Sequence, residues 1–178
     1  MTKISVHKPR DYQIQAVYDA LKCNRRLIVS PTGSGKSLMI YSVVRYYVEQ
    51  GKDTLIIVPT TSLVEQMYKD FADYGWDVGS SCHKIYGCRE RETKNQVIIT
   101  TWQSIYKLEK KYFDRFEVVV GDEAHLFTSK SIVSIMTKLY DANNRYGITG
   151  TLDGSQTHKW TSECLFGLSV STIKKKEL

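Results

Sequence analysis

Ser30-Pro31-Thr32-Gly33-Ser34-Gly35-Lys36-Ser37, directly after the apolar run Leu27-Ile28-Val29, decides the fold of this chain. Gly33 and Gly35 let the backbone turn so that its N–H groups converge on one point. The apolar, uninterrupted segment 38–49 that follows supplies a helix whose positive dipole end faces that point. Such a cradle takes phosphates. Lys36 adds a charge for the terminal phosphates of a nucleoside triphosphate, and the Ser37 hydroxyl is placed to hold Mg²⁺. The P-loop pattern asks for glycine where this chain has Ser30, so Gly33 and Gly35 carry the flexibility. Gly-Lys-Ser alone would equally suit a glycine-rich turn with an incidental lysine. The strand before it and the helix after it make it a site, with Pro31, Thr32 and Ser34 as the rest of its wall.

A second stretch completes it. Val118-Val119-Val120-Gly121-Asp122-Glu123-Ala124-His125 is an apolar strand that ends in two carboxylates and a histidine. Asp122 at the mouth of a buried strand can hold Mg²⁺, and Glu123 can orient or deprotonate the attacking water. Acids after a strand are commonplace by themselves; joined to the P-loop they become its metal arm.

Together these motifs resemble the first RecA-like motor domain of superfamily 2 helicases with a DEAH-lettered motif II. Arg10-Asp11-Tyr12-Gln13 with Ala16-Val17 resembles the family's Q-type motif, in which the glutamine reads the adenine edge; the resemblance gives that role to Gln13, helped by Arg10. A solvated glutamine on the first helix is the plain alternative. Residues 30–37 resemble motif I, Val58-Pro59-Thr60-Thr61-Ser62-Leu63-Val64-Glu65-Gln66 motif Ia, and Ile99-Thr100-Thr101-Trp102-Gln103-Ser104 the next nucleic-acid-facing motif. Asp122 to His125 resembles motif II, and Thr149-Gly150-Thr151-Leu152 stands where motif III falls, with Gly150 in place of the commoner alanine. His125 is then a coupling residue acting through Thr149 and Thr151, or else a plain loop histidine. Within the superfamily the likeness is greatest to phage UvsW-type recombination helicases and their XPB-like relatives. It implies ATP and Mg²⁺ as cofactors, with Lys36, Asp122, Glu123, His125, Thr149 and Thr151 as the catalytic set and Ser37 and Asp122 on the metal. It also implies single-stranded or branched DNA, or RNA, along Thr60, Thr61, Gln66, Thr101, Trp102 and Gln103. Trp102 has two readings open, a base-stacking platform or a packing residue.

The periodicity predicts an α/β fold with a mainly parallel sheet covered by helices on both faces. Helices are expected over 10–21, 36–50, 62–74 and 131–140, and strands over 27–29, 55–58, 97–100, 118–121 and 146–149. A short strand is expected around 82–86 in the otherwise irregular segment 75–94. Continuous apolar strands between helices are buried on both faces, and such sheets bind ligands at the carboxyl ends of their strands.

With 178 residues the chain has a one-domain length and can bury roughly 70% of its extended surface. Residues 1–168 read as the RecA-like ATP-binding domain, and 169–178, polar and basic, as a hinge or tail toward a second motor domain. Net charge is +6, from 25 basic and 19 acidic residues, which permits a polyanionic partner without proving one. The basic segment 84–94 alternates with Glu90 and Glu92 and reads as a solvated loop. The four cysteines form no Cys-x-x-Cys pair, so zinc is not expected, although Cys82, His83 and Cys88 could offer three ligands. Isolated thiols and the lack of an apolar run of about 18 residues point to a soluble cytoplasmic protein, in the host cytoplasm if phage-encoded. The family's second RecA-like domain brings arginines worth about 10³- to 10⁵-fold in related phosphoryl transfers. The resemblance therefore implies that this chain binds ATP but turns it over little alone. Two other classes stay open, a double-stranded DNA translocase that does not unwind and a nucleotide-dependent interaction module.

Overall fold

The computed structural model describes residues 8–87, 90–151 and 156–171. Cys88, Leu152 and the lysines 174–176 of the tail lie outside them. In chain order the elements are α1 (Asp11–Leu21), β1 (Arg25–Val29), α2 (Lys36–Val48), β2 (Thr54–Val58), α3 (Thr61–Asp73), α4 (Val78–Ser81), β3 (Cys82–Ile85) and β4 (Val97–Thr101). There follow α5 (Trp102–Ile105), α6 (Lys110–Phe113), β5 (Val118–Asp122), a 3₁₀ turn (Ala124–Leu126), α7 (Lys130–Lys138), β6 (Asn144–Thr149), α8 (Gln156–Phe166) and β7 (Ser169–Ser171). No helix among the described residues is long and apolar enough to cross a membrane.

The sheet has seven strands in the order β3-β4-β2-β5-β6-β1-β7, and its strand pairings are parallel. Strand alternation explains why both of its faces are apolar. On β2, Leu55 and Ile57 join the core under α5 to α8, whereas Ile56 and Val58 join the core under α1 to α3. Met39, Val43 and Phe71 fill one core; Ile135, Met136 and Phe166 fill the other. Each fully buried apolar side chain contributes roughly 1.5–3 kcal/mol.

Several boundaries differ from the sequence expectation for local reasons. Arg10 is extended and caps α1, because Gln13 bends back to accept its backbone N–H at 2.8 Å, so the helix opens at Asp11. Thr60 caps α3 by accepting the Leu63 N–H, which moves that helix to Thr61. Ser129 caps α7, which is shorter than expected, while β6 gains Asn144 and Arg145. Neither α8 nor β7 was anticipated. Ser169–Ser171, read as the start of the tail, instead pair with β1 as an edge strand, and a polar edge strand gives no alternating signal.

Candidate nucleotide-binding site

Because β6 lies between β5 and β1, the loops leaving β1 and β5 meet only by reaching across its end. They do so through Lys36, whose ammonium donates to Glu123 Oε1 at 2.6 Å, with side chains 15% and 27% exposed. Gly150 lies under this bridge and donates its N–H to Glu123 Oε2 at 3.5 Å. A Cβ there would stand 3.3 Å from Lys36 Nζ and 3.5 Å from Thr32 Oγ1, so the departure from alanine leaves the lysine room. Glu123 is the one non-glycine residue with positive φ among those described, at φ 48 and ψ 52. That uncommon conformation turns its carboxylate back over the sheet while Asp122 continues the strand.

His125 Nδ1 lies 2.8 Å from Thr149 Oγ1 and 3.4 Å from Glu123 Oε2. The Thr149 hydroxyl gives its proton to the Thr151 carbonyl at 2.9 Å, so His125 Nδ1 must carry the proton between them. The three residues expected to form a relay, His125, Thr149 and Thr151, are thus joined by hydrogen bonds, Thr151 through its backbone oxygen.

Asp122 is buried at the end of β5, and its Oδ1 accepts the Glu123 N–H at 2.9 Å. Burial, and then the charge of Glu123, pushes its carboxyl up to about 6. Lys36, the basic group that favours its charge, is spent on Glu123. Among the described residues no group of three or more His, Cys, Asp or Glu could hold a metal. A cation here would have to arrive with phosphate oxygens and water, which suits Mg²⁺ and the pair Asp122 and Ser37. The Ser37 hydroxyl shares a 2.8 Å hydrogen bond with Tyr74 Oη.

Behind the loop the carbonyls, turned away from the phosphate side, collect donors. Ser34 O accepts from Gln13 Nε2 at 2.8 Å and from Tyr12 Oη at 2.9 Å, and Gly35 O lies 3.4 Å from Gln13 Nε2. Arg10 Nη1 reaches Tyr12 Oη at 3.4 Å. Gly35 has φ +74, and a Cβ on it would come 2.3 Å from Gln13 Nε2. Gln13, expected to face the base, is thus engaged with the P-loop backbone through its amide nitrogen and with Arg10 through its amide oxygen. The Ser30 hydroxyl bonds Ser34 Oγ at 2.7 Å, which ties the loop across the place where the pattern has glycine. Gln13 also borders an apolar cleft of about 320 Å³ between α1 and α2, walled by Ile14, Val17, Leu38 and Met39. Pro31, Thr32 and Gly33 form the solvent-facing turn of the loop. Tyr12 and Tyr74 were missed from sequence. The only signals were an aromatic beside Gln13 and another at a glycine-ended helix terminus.

The other half of the same sheet edge carries a polar cleft of about 510 Å³ at the ends of β2, β3 and β4. Thr60, Thr61, Thr101 and Gln103 line it as expected, joined by Ser104 and Arg91. Gln66 is exposed on α3 but is not a lining residue. Trp102 packs on Tyr106, ring centroids 6.0 Å apart, and on the core beneath α5, so of its two readings the packing one matches its placement. The basic segment also divides. Lys84 is engaged by Glu65 at 2.7 Å and Tyr86 by the same carboxylate, whereas Arg91 reaches the cleft.

The family model described as "Type III restriction enzyme, res subunit" (ResIII) matches residues 6–154. The chain is 37% identical over 166 residues to the ATP-dependent DNA helicase uvsW of Enterobacteria phage T4, which covers 90% of this chain and 33% of that protein. It is 35% identical over 146 residues to the DNA 3'-5' translocase XPB2 of Sulfurisphaera tokodaii, covering 80% of this chain and 30% of that one. The chain thus spans about a third of these relatives' length. The crystal structure of the UvsW helicase from bacteriophage T4 superposes with a TM-score of 0.82 at 36% identity, over 92% of this chain and 60% of that one. With the family model matched over most of its length and its parallel sheet superposing on a UvsW helicase, the chain belongs to the ResIII family as a first RecA-like domain.

Proposed function

We propose that this chain is the ATP-binding half of a helicase motor acting on branched or recombination DNA intermediates. The observation that carries the reading is the meeting of Lys36, Glu123, His125 and Thr149 over the end of β6, beside an open polar cleft on the same edge. Lys36 exchanges Glu123 for the terminal phosphates of ATP, and the freed Glu123 carboxylate orients or deprotonates the attacking water. Ser37 and Asp122 would hold Mg²⁺, which would supply charge to the phosphate oxygens. His125 and Thr149 then sense whether Glu123 is engaged. Gln13 holds the P-loop beside the apolar cleft, and reading adenine would require its amide to release one of these bonds. Thr60, Thr61, Thr101 and Gln103 contact a strand's backbone without reading its sequence. In this reading the motor domain runs through β7 to Ser171, the chain after it leads to a second RecA-like domain in cis, and the work is cytoplasmic.

The relative named as a DNA 3'-5' translocase favours a second reading, movement along duplex DNA without unwinding. Strand-displacement and triplex-displacement assays on a protein carrying both motor domains separate the two. Nucleotide binding with no nucleic-acid-stimulated turnover there would leave an interaction module. The test of the site itself is calorimetry on the chain. Lys36→Ala should lose about 30-fold or more in ATP affinity, since a charged hydrogen-bonding partner of the phosphates is removed. Glu123→Gln should retain ATP, its Lys36 being freed. Unchanged affinity in Lys36→Ala would reject the P-loop reading.

A further inference from the structure

Among the described residues, Tyr74, which lies outside the expected motifs, hydrogen-bonds through its side chain to the expected metal ligand Ser37. It caps the end of α3, its N–H bonding Asp70 O, and Gly75 at φ +88 stops the helix immediately after it. The Tyr41 ring stands edge-on to it at 5.2 Å, and Tyr41 Oη donates to its carbonyl at 3.4 Å. Ring and backbone are therefore both held, and the phenol arrives 2.8 Å from Ser37 Oγ. A serine that ligates a cation must turn a lone pair to the ion and send its proton elsewhere. The acceptor at hydrogen-bonding distance is the Tyr74 oxygen.

Resting on the reading of Ser37 as a metal ligand, we propose that Tyr74 is a positioning residue of the metal arm. Its oxygen would accept a hydrogen bond from the Ser37 hydroxyl and so fix the rotamer in which a Ser37 lone pair would face the cation. The arrangement also makes α3 a strut, with Thr61 at the cleft end and Tyr74 at the metal-ligand end.

The test uses the 178-residue chain and a fluorescent ADP analogue, titrated with Mg²⁺ and again with EDTA. Tyr74→Phe keeps the ring and should lower the Mg²⁺-dependent gain in affinity about three- to tenfold, with affinity in EDTA unchanged. In a Ser37→Ala background, where the Mg²⁺ gain itself is lost, the same substitution should have no further effect. Thermal melting without nucleotide should match the parent within a few degrees. An equal loss with and without Mg²⁺ would mean that Tyr74 only packs, and an undiminished Mg²⁺ gain in Tyr74→Phe would also overturn the proposal. If Ser37→Ala alone kept the full Mg²⁺ gain, the failure would lie with Ser37 as metal ligand.

Discussion

The two halves of the carboxyl edge of the sheet are built differently. Around β5, β6 and β1 the polar side chains are spent on one another: Lys36 on Glu123, His125 on Thr149, Gln13 and Tyr12 on the P-loop carbonyls, Ser37 on Tyr74. Around β3, β4 and β2 the edge is an open cleft of hydroxyls and an amide, with Arg91 as a single arginine among its lining residues. A preorganised network suits a ligand of fixed shape that must be held to within fractions of an ångström. A hydrated, weakly charged groove suits a polymer that has to slide, since contacts to phosphate position a strand without selecting bases.

The comparison breaks most easily at Asp122. Its carboxyl is raised to about 6 in the folded chain from an ordinary 3.8, so the folded state binds the extra proton between these values. The sign follows from that. Stability associated with this group is present below about pH 4 and is lost as pH rises through about 6. Asp122→Asn removes the penalty. At pH 7.5 the nucleotide-free variant should be more stable than the parent by on the order of 1–3 kcal/mol, and the parent's extra decline in melting temperature between pH 4 and 6.5 should vanish. Its Mg²⁺-dependent nucleotide affinity should fall about 100-fold, the charge of one metal ligand being gone. A variant that is both less stable and fully Mg²⁺-responsive would show that Asp122 is not the strained metal arm of this half.

The cleft is tested by charge. Replacing Thr61 and Gln103 together by Asp puts two carboxylates among its lining residues, and single-stranded DNA affinity by fluorescence anisotropy at low salt should fall about tenfold or more. ATP affinity should stay at the parental value. DNA affinity and salt dependence unchanged by both substitutions would move the track elsewhere on the surface.

The smallest expected effect sharpens the division inside the nucleotide half. Gln13→Ala removes a donor to Ser34 O and Gly35 O, so ATP and GTP should both lose about three- to tenfold in affinity by calorimetry. Any excess loss for ATP measures the base reading. Equal losses assign Gln13 to the loop backbone alone, and no loss for either nucleotide would mean that the P-loop does not need it.

Sequence patterns local to a few residues were sufficient for strands β1 to β6, the P-loop and the acidic motif. An apolar run such as Leu55-Ile56-Ile57-Val58 has one stable fate, a strand covered on both faces, and glycines next to Lys36 have a restricted set of backbone uses. Strand ends carrying Thr60, Thr101 and Asp122 then had to share one edge, because the strands are parallel. The tertiary structure alone decided the partners. Gln13 meets Ser34 across 21 positions, Ser37 meets Tyr74 across 37 and Lys36 meets Glu123 across 87. No periodicity encodes such distances. Trp102 went to the core, Arg91 to the cleft and Ser169–Ser171 to the sheet edge for the same reason. The fold follows from repeated local preferences that add along the chain, whereas each contact of the site depends on where two cores bring remote backbone segments together.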